Sequence, residues 1–297
     1  MPCSFHLTTV ISAFVLVRTA SAALLSAVHV VIETASELTP RADTATSVEL
    51  ADSRLLVVYQ KYRAGRKSGH DEGYCNIWSK SSGDGVRAWH NPRLLVDVAQ
   101  GDVNVMNPML LKLAPREVLL ICHRNHPPKP STSTAVVFRS TDGGKTFSEL
   151  AKAWERPPTY RVAIPPLNRL TSGRILLAFV AGKDNQHFHS TTTYSDDGGR
   201  TWIESDHQIK LPKRGALEPS VTQLNNGTLL MSIRTQLGRP VVDGYSTLSL
   251  TESVQSHHIP KAQASVTKDL VSRFADECSQ IADRIGNRLG FIGLRVL

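Results

Sequence analysis

The same eight-residue turn is written twice in this chain, 55 residues apart. Ser140-Thr141-Asp142-Gly143-Gly144-Lys145-Thr146-Phe147 and Ser195-Asp196-Asp197-Gly198-Gly199-Arg200-Thr201-Trp202 both read Ser-x-Asp-x-Gly-x-Thr-aromatic. A looser copy, Ser82-Gly83-Asp84-Gly85-Val86-Arg87-Ala88-Trp89, starts 58 residues before the first and lacks the second Gly and the Thr. A period of about 40–50 residues, or a little more, is what a four-stranded propeller blade occupies. Asp-Gly and Gly-Gly signal hairpin turns, because glycine reaches positive φ without steric cost. Ser and Asp side chains can hydrogen-bond the turn's own backbone, and the closing aromatic can pack beneath it. These acids are therefore read as turn residues.

Each turn follows a second repeated unit. Val48 to Tyr59, Leu110 to Ile121, Leu167 to Phe179 and Val221 to Met231 all read as strand, polar turn and apolar strand. A further short strand, such as Ala135 to Phe138 or Thr191 to Tyr194, leads into the turn. Helical periodicity is absent from about residue 45 to residue 235. The expected fold is all-β, a propeller of radially repeated sheets with about four blades.

Composition limits the function classes. The 297 residues are 41% hydrophobic and carry a formal charge of +8, but the basic residues are scattered. That pattern describes a solvated surface with an anion-attracting cleft, not a nucleic-acid patch. Met1 to Ala22 reads as a secretory signal, with an apolar run from Leu7 to Val17 and the small-x-small site Ala20-Ser21-Ala22. The run is too short to span a bilayer. A secreted or periplasmic location is expected. Cys75, Cys122 and Cys278 show no metal-ligand spacing, and Cys122-His123 with His126 has no matching pair, so no metal or other cofactor is expected. Asn226-Gly227-Thr228 is a glycosylation sequon.

The boxes, repeating after Gly-x-Leu-Leu strands, resemble the sialidase (BNR-repeat) family over roughly residues 38 to 239. The resemblance implies a six-bladed β-propeller and exo-acting glycoside hydrolysis, with non-catalytic members also known. Three segments carry it further. Glu218-Pro219-Ser220 through Ser232-Ile233-Arg234 resembles the family stretch in which a glutamate polarises a tyrosine nucleophile and an arginine joins a cluster of three that binds the sugar carboxylate. Glu218 and Arg234 are the matching positions, and a guanidinium does present a bidentate fork to a carboxylate. Tyr62 to Gly73 resembles the loop carrying the general-acid aspartate. Asp71 sits at the matching place, with Glu72 as its neighbouring rival. Arg41, in Pro40-Arg41-Ala42-Asp43, lies where the family has its first carboxylate-binding arginine, in a context that lacks the usual Arg-Ile-Pro; Arg63 is an alternative cation.

The pattern breaks after residue 239. A Ser-, Thr- and His-rich stretch follows, and Leu270, Phe274, Cys278, Ile281 and Ile285 recur with helical spacing. The expected domains are a signal at 1–22, an incomplete propeller at 23–239 and a divergent tail at 240–297. The tail is either a cap or the product of a frame shift near Pro240; a repeat that stops mid-unit favours the second. The family's nucleophilic tyrosine and third arginine come from later blades, and no Tyr follows Tyr245. The leading expectation is a sialidase-like hydrolase acting on a terminal acidic sugar of a glycan, an activity that loss of the last blades would silence. A non-catalytic propeller that binds glycans or proteins and a hydrolase of neutral sugars are the alternatives. Oligomeric state is left open.

Overall fold

The computed structural model describes residues 30–234 apart from 66, 86, 128–131 and 184–186, together with the backbone of 245–249. The signal, the helical pattern after residue 265 and most of the tail lie outside the described residues.

The described chain is all-β. The first sheet holds β1 (Ala42–Glu49), β2 (Leu55–Tyr62), β3 (Cys75–Ser82) and β4 (His90–Val96), paired in chain order. The second repeats this with β5 (Asn104–Ala114), β6 (Glu117–His126), β7 (Thr132–Ser140) and β8 (Ser148–Trp154). In the third, β11 (Ile175–Gly182) and β12 (Phe188–Ser195) are central. Their flanking strands are split into β9 (Tyr160–Val162) and β10 (Asn168–Arg169) on one side, and β13 (Ile203–Glu204) and β14 (Ile209–Lys210) on the other. The fourth holds β15 (Leu217–Gln223), β16 (Leu229–Arg234) and β17 (Tyr245–Ser249), paired in chain order. All pairings within the sheets are antiparallel, and the arrangement is consistent with propeller blades.

Both faces of the middle strands are covered, which explains why they read as unbroken apolar runs instead of alternating ones. All eight residues of β11 are buried. Leu56, Val58 and Ile77 of the first sheet meet Leu120, Cys122 and Phe138 of the second. The other face of the second sheet puts Leu119, Ile121 and Val137 against Leu177 and Phe179. Leu176 and Ala178 then meet Val221, Met231 and Ile233 of the fourth. Each such Leu, Ile or Val contributes roughly 1.5–3 kcal/mol by leaving water.

The boxes clamp neighbouring sheets together. Asp142 Oδ1 accepts hydrogen bonds from Ser140 Oγ (2.8 Å), Lys145 N (3.0 Å) and Thr146 N (2.9 Å), while Oδ2 accepts from Thr146 Oγ1 (2.6 Å). Asp197 repeats the set with Ser195, Arg200 and Thr201. Asp84 keeps the bonds from Ser82 and from the backbone of Arg87 and Ala88. The second Gly faces the preceding sheet: a Cβ on Gly144 would lie 2.7 Å from Leu56, and one on Gly199 3.0 Å from Leu119. Both have positive φ, 75° and 90°. The sequence signature is thus partly a packing signature between sheets.

A second device repeats at the other end of the strands. The pairing of β1, β5 and β15 skips two residues on the first strand of the sheet, between Asp43 and Thr46, Met106 and Met109, and Leu217 and Ser220. In each bulge the first skipped residue has positive φ: Thr44 at 46°, Asn107 at 54° and Glu218 at 45°. Bulges of this kind re-aim a side chain.

Candidate functional site

Antiparallel pairing places the boxes and the short turns after β1, β5, β10 and β15 at one end of the strands. The starts of β1, β5, β9 and β15 gather at the opposite end, together with the β2–β3 loop and the end of β16. Arg41, Asp71, Glu218 and Arg234 all belong to this second end, or rim.

Arg41 directly precedes β1. Its Nη1 donates to Asp71 Oδ1 (2.6 Å) and to the Gly69 carbonyl (3.3 Å), and its Nε donates to Asp43. The guanidinium lies over the Tyr62 ring, 4.7 Å from its centroid. Asp43 in turn accepts from Gln60 Nε2, whose Oε1 accepts from Asn107 N (2.8 Å) at the bulge of the next sheet. Tyr62 is fully buried, and burial followed by the Cys75 charge pushes its phenol pKa far up, against the opposing effect of Arg41. The first two sheets therefore hold Arg41 from beneath.

The acid loop is pinned from the second sheet. Asn104 Nδ2 donates to the carbonyls of Asp71 (2.8 Å) and Gly73 (3.0 Å), and Asn125 Nδ2 orients Asn104 (2.7 Å). Only glycine fits at 73, since a Cβ there would lie 2.4 Å from the Lys67 carbonyl oxygen. The Asp71 side chain is left 68% exposed, open to a ligand. Its sequence rival Glu72 is instead ion-paired with Lys67 of the same loop.

Glu218 and Arg234 form a second acid–guanidinium pair, Arg234 Nη1 to Glu218 Oε1 at 2.6 Å. The register explains it: Leu217 pairs with Arg234, so the bulge residue that follows meets the strand end beside it. Glu218 shares its left-handed backbone with Thr44 and Asn107, so that conformation is an architectural feature of the repeat and not a private strain of one acid.

Arg63 stands elsewhere. Its guanidinium lies 5.2 Å from the Tyr74 ring centroid, and it lines a hollow of about 360 Å³ with Leu38, Thr39, Lys61, Ala64 and Trp78, on the face of β2 opposite Gln60 and Tyr62. Among the described residues it contacts neither acid–guanidinium pair. Cys122 and His123 point to opposite faces of β6. The ring nitrogens of His126 are taken by Asp102 (2.6 Å) and Thr134 (2.9 Å). Among the described residues no group of three His, Cys, Asp or Glu is placed to hold a metal, and no helix is long and apolar enough to cross a membrane.

Three rim residues are missing from the sequence reading: Tyr160, Phe188 and Arg214. Tyr160 starts β9, its ring edge-on to Phe188 (5.8 Å), and Arg214 lies over the Phe188 ring (5.2 Å). Burial first, then the Asp71 charge, raise the Tyr160 phenol pKa; Arg214 opposes and Glu218 adds to the rise. Both candidate acids therefore act on the same phenol. The signal was available in the repeat register, because Tyr160 opens the first strand of the third sheet as Arg41-Ala42, Asn104 and Leu217-Glu218 open the others.

No protein among the curated ones matches this sequence. The structure is similar to the Hadza microbial sialidase Hz136 (TM-score 0.59, 16% identity, 73% of this chain and 47% of that one). It is similar to Trypanosoma rangeli sialidase in complex with sialic acid (TM-score 0.56, 16% identity, 76% and 37%). It also resembles a protein of unknown function from Dyadobacter fermentans DSM 18053 (TM-score 0.58, 20% identity, 70% and 66%). The chain thus spans less than half the length of either sialidase, and at these identities the likeness establishes a sialidase-like fold. The family model described as a BNR repeat-like domain matches residues 52–264, well over half of the sequence, and the chain belongs to that family.

Proposed function

We propose that this protein is a sialidase-like exo-glycoside hydrolase acting on a terminal sialic acid or a related acidic sugar of a glycan. The observation that carries the reading is the presence of two acid–guanidinium pairs, Arg41–Asp71 and Glu218–Arg234, on one rim of a sialidase-like fold. Each pair offers what an acidic sugar needs. Arg41 and Arg234 supply forked N–H donors for its carboxylate, and Asp71 and Glu218 supply proton-transfer groups beside it. On binding, the sugar carboxylate takes up donors that now serve the two acids. Asp71 is released to protonate the leaving glycosidic oxygen, and Glu218 to take a proton from a nucleophilic hydroxyl. Arg63 serves the same cluster only if the exposed loop that carries it swings its guanidinium from Tyr74 toward Arg41.

The likeness to two sialidases, one of them in complex with sialic acid, supports the substrate class, and the acid loop supports hydrolysis over binding alone. The alternative, a non-catalytic propeller that holds glycans or proteins, is favoured by one observation: the described chain forms four sheets and covers 37–47% of those sialidases. Secretion or export to a periplasm is part of the proposal and rests on the N-terminal segment. The test is turnover of a chromogenic sialoside by the wild-type chain and by Asp71→Asn and Glu218→Gln separately. We expect both variants to lose about 10²–10⁴-fold in kcat/KM. Turnover equal to wild type in both would reject the assignments, and turnover confined to a panel of neutral glycosides would reject the acidic substrate.

A further inference from the structure

We propose that Tyr160 is a substrate-contacting residue of this rim, its phenol O–H donating a hydrogen bond to a hydroxyl or ring oxygen of the sugar held between the two acid–guanidinium pairs. The inference rests on the functional reading above and adds a recognition group to it. Three geometric observations carry it. First, Tyr160 opens β9, and the corresponding starts of the other three sheets supply Arg41, Asn104 and Glu218, each already wired to one of the candidate acids or carrying one. Second, its ring packs on the cluster of Val180, Phe188 and Leu217, and Leu217 is the residue next to Glu218 and the register partner of Arg234. Third, its ring is held edge-on to Phe188 while no side chain or backbone group among the described residues hydrogen-bonds its hydroxyl, which leaves that group available to a ligand.

The wall behind it is built tightly. Phe188 N donates to the Arg214 carbonyl (3.0 Å) and Ala216 N to the Phe188 carbonyl (3.1 Å). A Cβ on Gly215 would lie 2.0 Å from that same carbonyl oxygen, so only glycine permits the approach. This clip fixes Phe188 edge-on to Tyr160 and stations Arg214 beside them. The phenol is consequently oriented before any ligand arrives. Burial and the carboxylate charges of Asp71 and Glu218 favour the protonated, donating form over phenolate, against the opposing charge of Arg214. A donor fixed between two acids is suited to reading a sugar oxygen and unsuited to attacking the anomeric carbon.

The experiment compares the full chain with Tyr160→Phe, which removes only the hydroxyl, and with Arg234→Met as a reference. A fluorogenic sialoside gives kcat and KM, free N-acetylneuraminic acid gives binding, and thermal unfolding checks the fold. For Tyr160→Phe, KM and the sugar dissociation constant are expected to rise about 3- to 10-fold, turnover at saturation to stay within about 2-fold, and unfolding to be unchanged. Kinetics and binding equal to wild type, with Arg234→Met impaired, overturn the role of Tyr160 and leave the functional reading standing. A loss of about 10³-fold in saturated turnover with KM unmoved overturns it too, by shifting the hydroxyl into the bond-breaking step. Absence of both turnover and sugar binding in the wild-type chain removes the functional reading and this inference together.

Discussion

At one end of the strands, Asp142 and Asp197 collect the same bonds from the same neighbours, every partner within four residues in sequence. At the other end, Arg41 reaches 30 residues to Asp71, Arg234 reaches 16 to Glu218, and Asn104 reaches 33 to the acid loop. The box end is repetitive and local, and it joins each sheet to the one before it through Gly144 and Gly199. The rim end differs from sheet to sheet, and its polar groups meet only because pairing register brings them together. A repeat protein can thus keep its stabilising elements identical on one side while the other side diversifies. The aspartates most visible in the sequence do structural work, and the acids suited to chemistry are the less conspicuous ones.

Five variants break or sharpen that contrast. The largest effect belongs to the rim. Arg41→Met together with Arg234→Met should abolish sialoside turnover, a loss beyond about 10³-fold, while the melting temperature moves by a few degrees at most. Next comes the box end. Gly144→Ala places a Cβ 2.7 Å from Leu56 at a φ of 75°, and should cost about 2–4 kcal/mol in chemical denaturation. Gly143→Ala, with the same φ and open space around it, should cost only about 1 kcal/mol; equal losses would show that packing between sheets plays no part.

An acid-sensitive element lies between the second and third sheets. His123 is fully buried against Trp154 with both ring nitrogens unpartnered, and burial pushes its pKa down to about 3. The unfolded chain takes up that proton near pH 6.5 while the folded one refuses it. His123 therefore favours folding fully above about pH 6.5, and its contribution falls on the order of 1 kcal/mol per pH unit from there toward pH 3. His123→Phe should flatten stability against pH over that window. The box aspartates act further down. Asp142 and Asp197 are held well below the usual carboxylate range by Thr, Ser and backbone donors that outweigh a desolvation acting the other way, so their share is lost as pH drops below about 3.8. The smallest effect is Arg234→Met alone on stability, at most about 1 kcal/mol, because the Glu218 pair is half exposed.

The box turns, the strand units and the all-β class were legible because each is set by chain neighbours: Asp-x-Gly chemistry, apolar runs and polar turns. Asp71, Glu218, Arg41 and Arg234 were legible only through resemblance, since nothing local ties Arg41 to a loop 30 residues away. Arg63 shows the limit of that route. Strand alternation sends it to the face of β2 opposite Tyr62, a geometry that proximity in sequence does not reveal. Tyr160 escaped for another reason: Pro157-Pro158 and Pro165-Pro166 bracket a short, broken strand, which hides its equivalence to the starts of β1, β5 and β15.

Calorimetric titration of N-acetylneuraminic acid into the full chain, into Arg41→Met, into Arg234→Met and into Asp142→Asn tests the division between the two ends most directly. Each arginine variant is expected to weaken the sugar at least about tenfold, and the box variant to bind as the wild type does at a temperature where it is folded. Equal affinity in all four proteins, or a loss confined to Asp142→Asn, would contradict it.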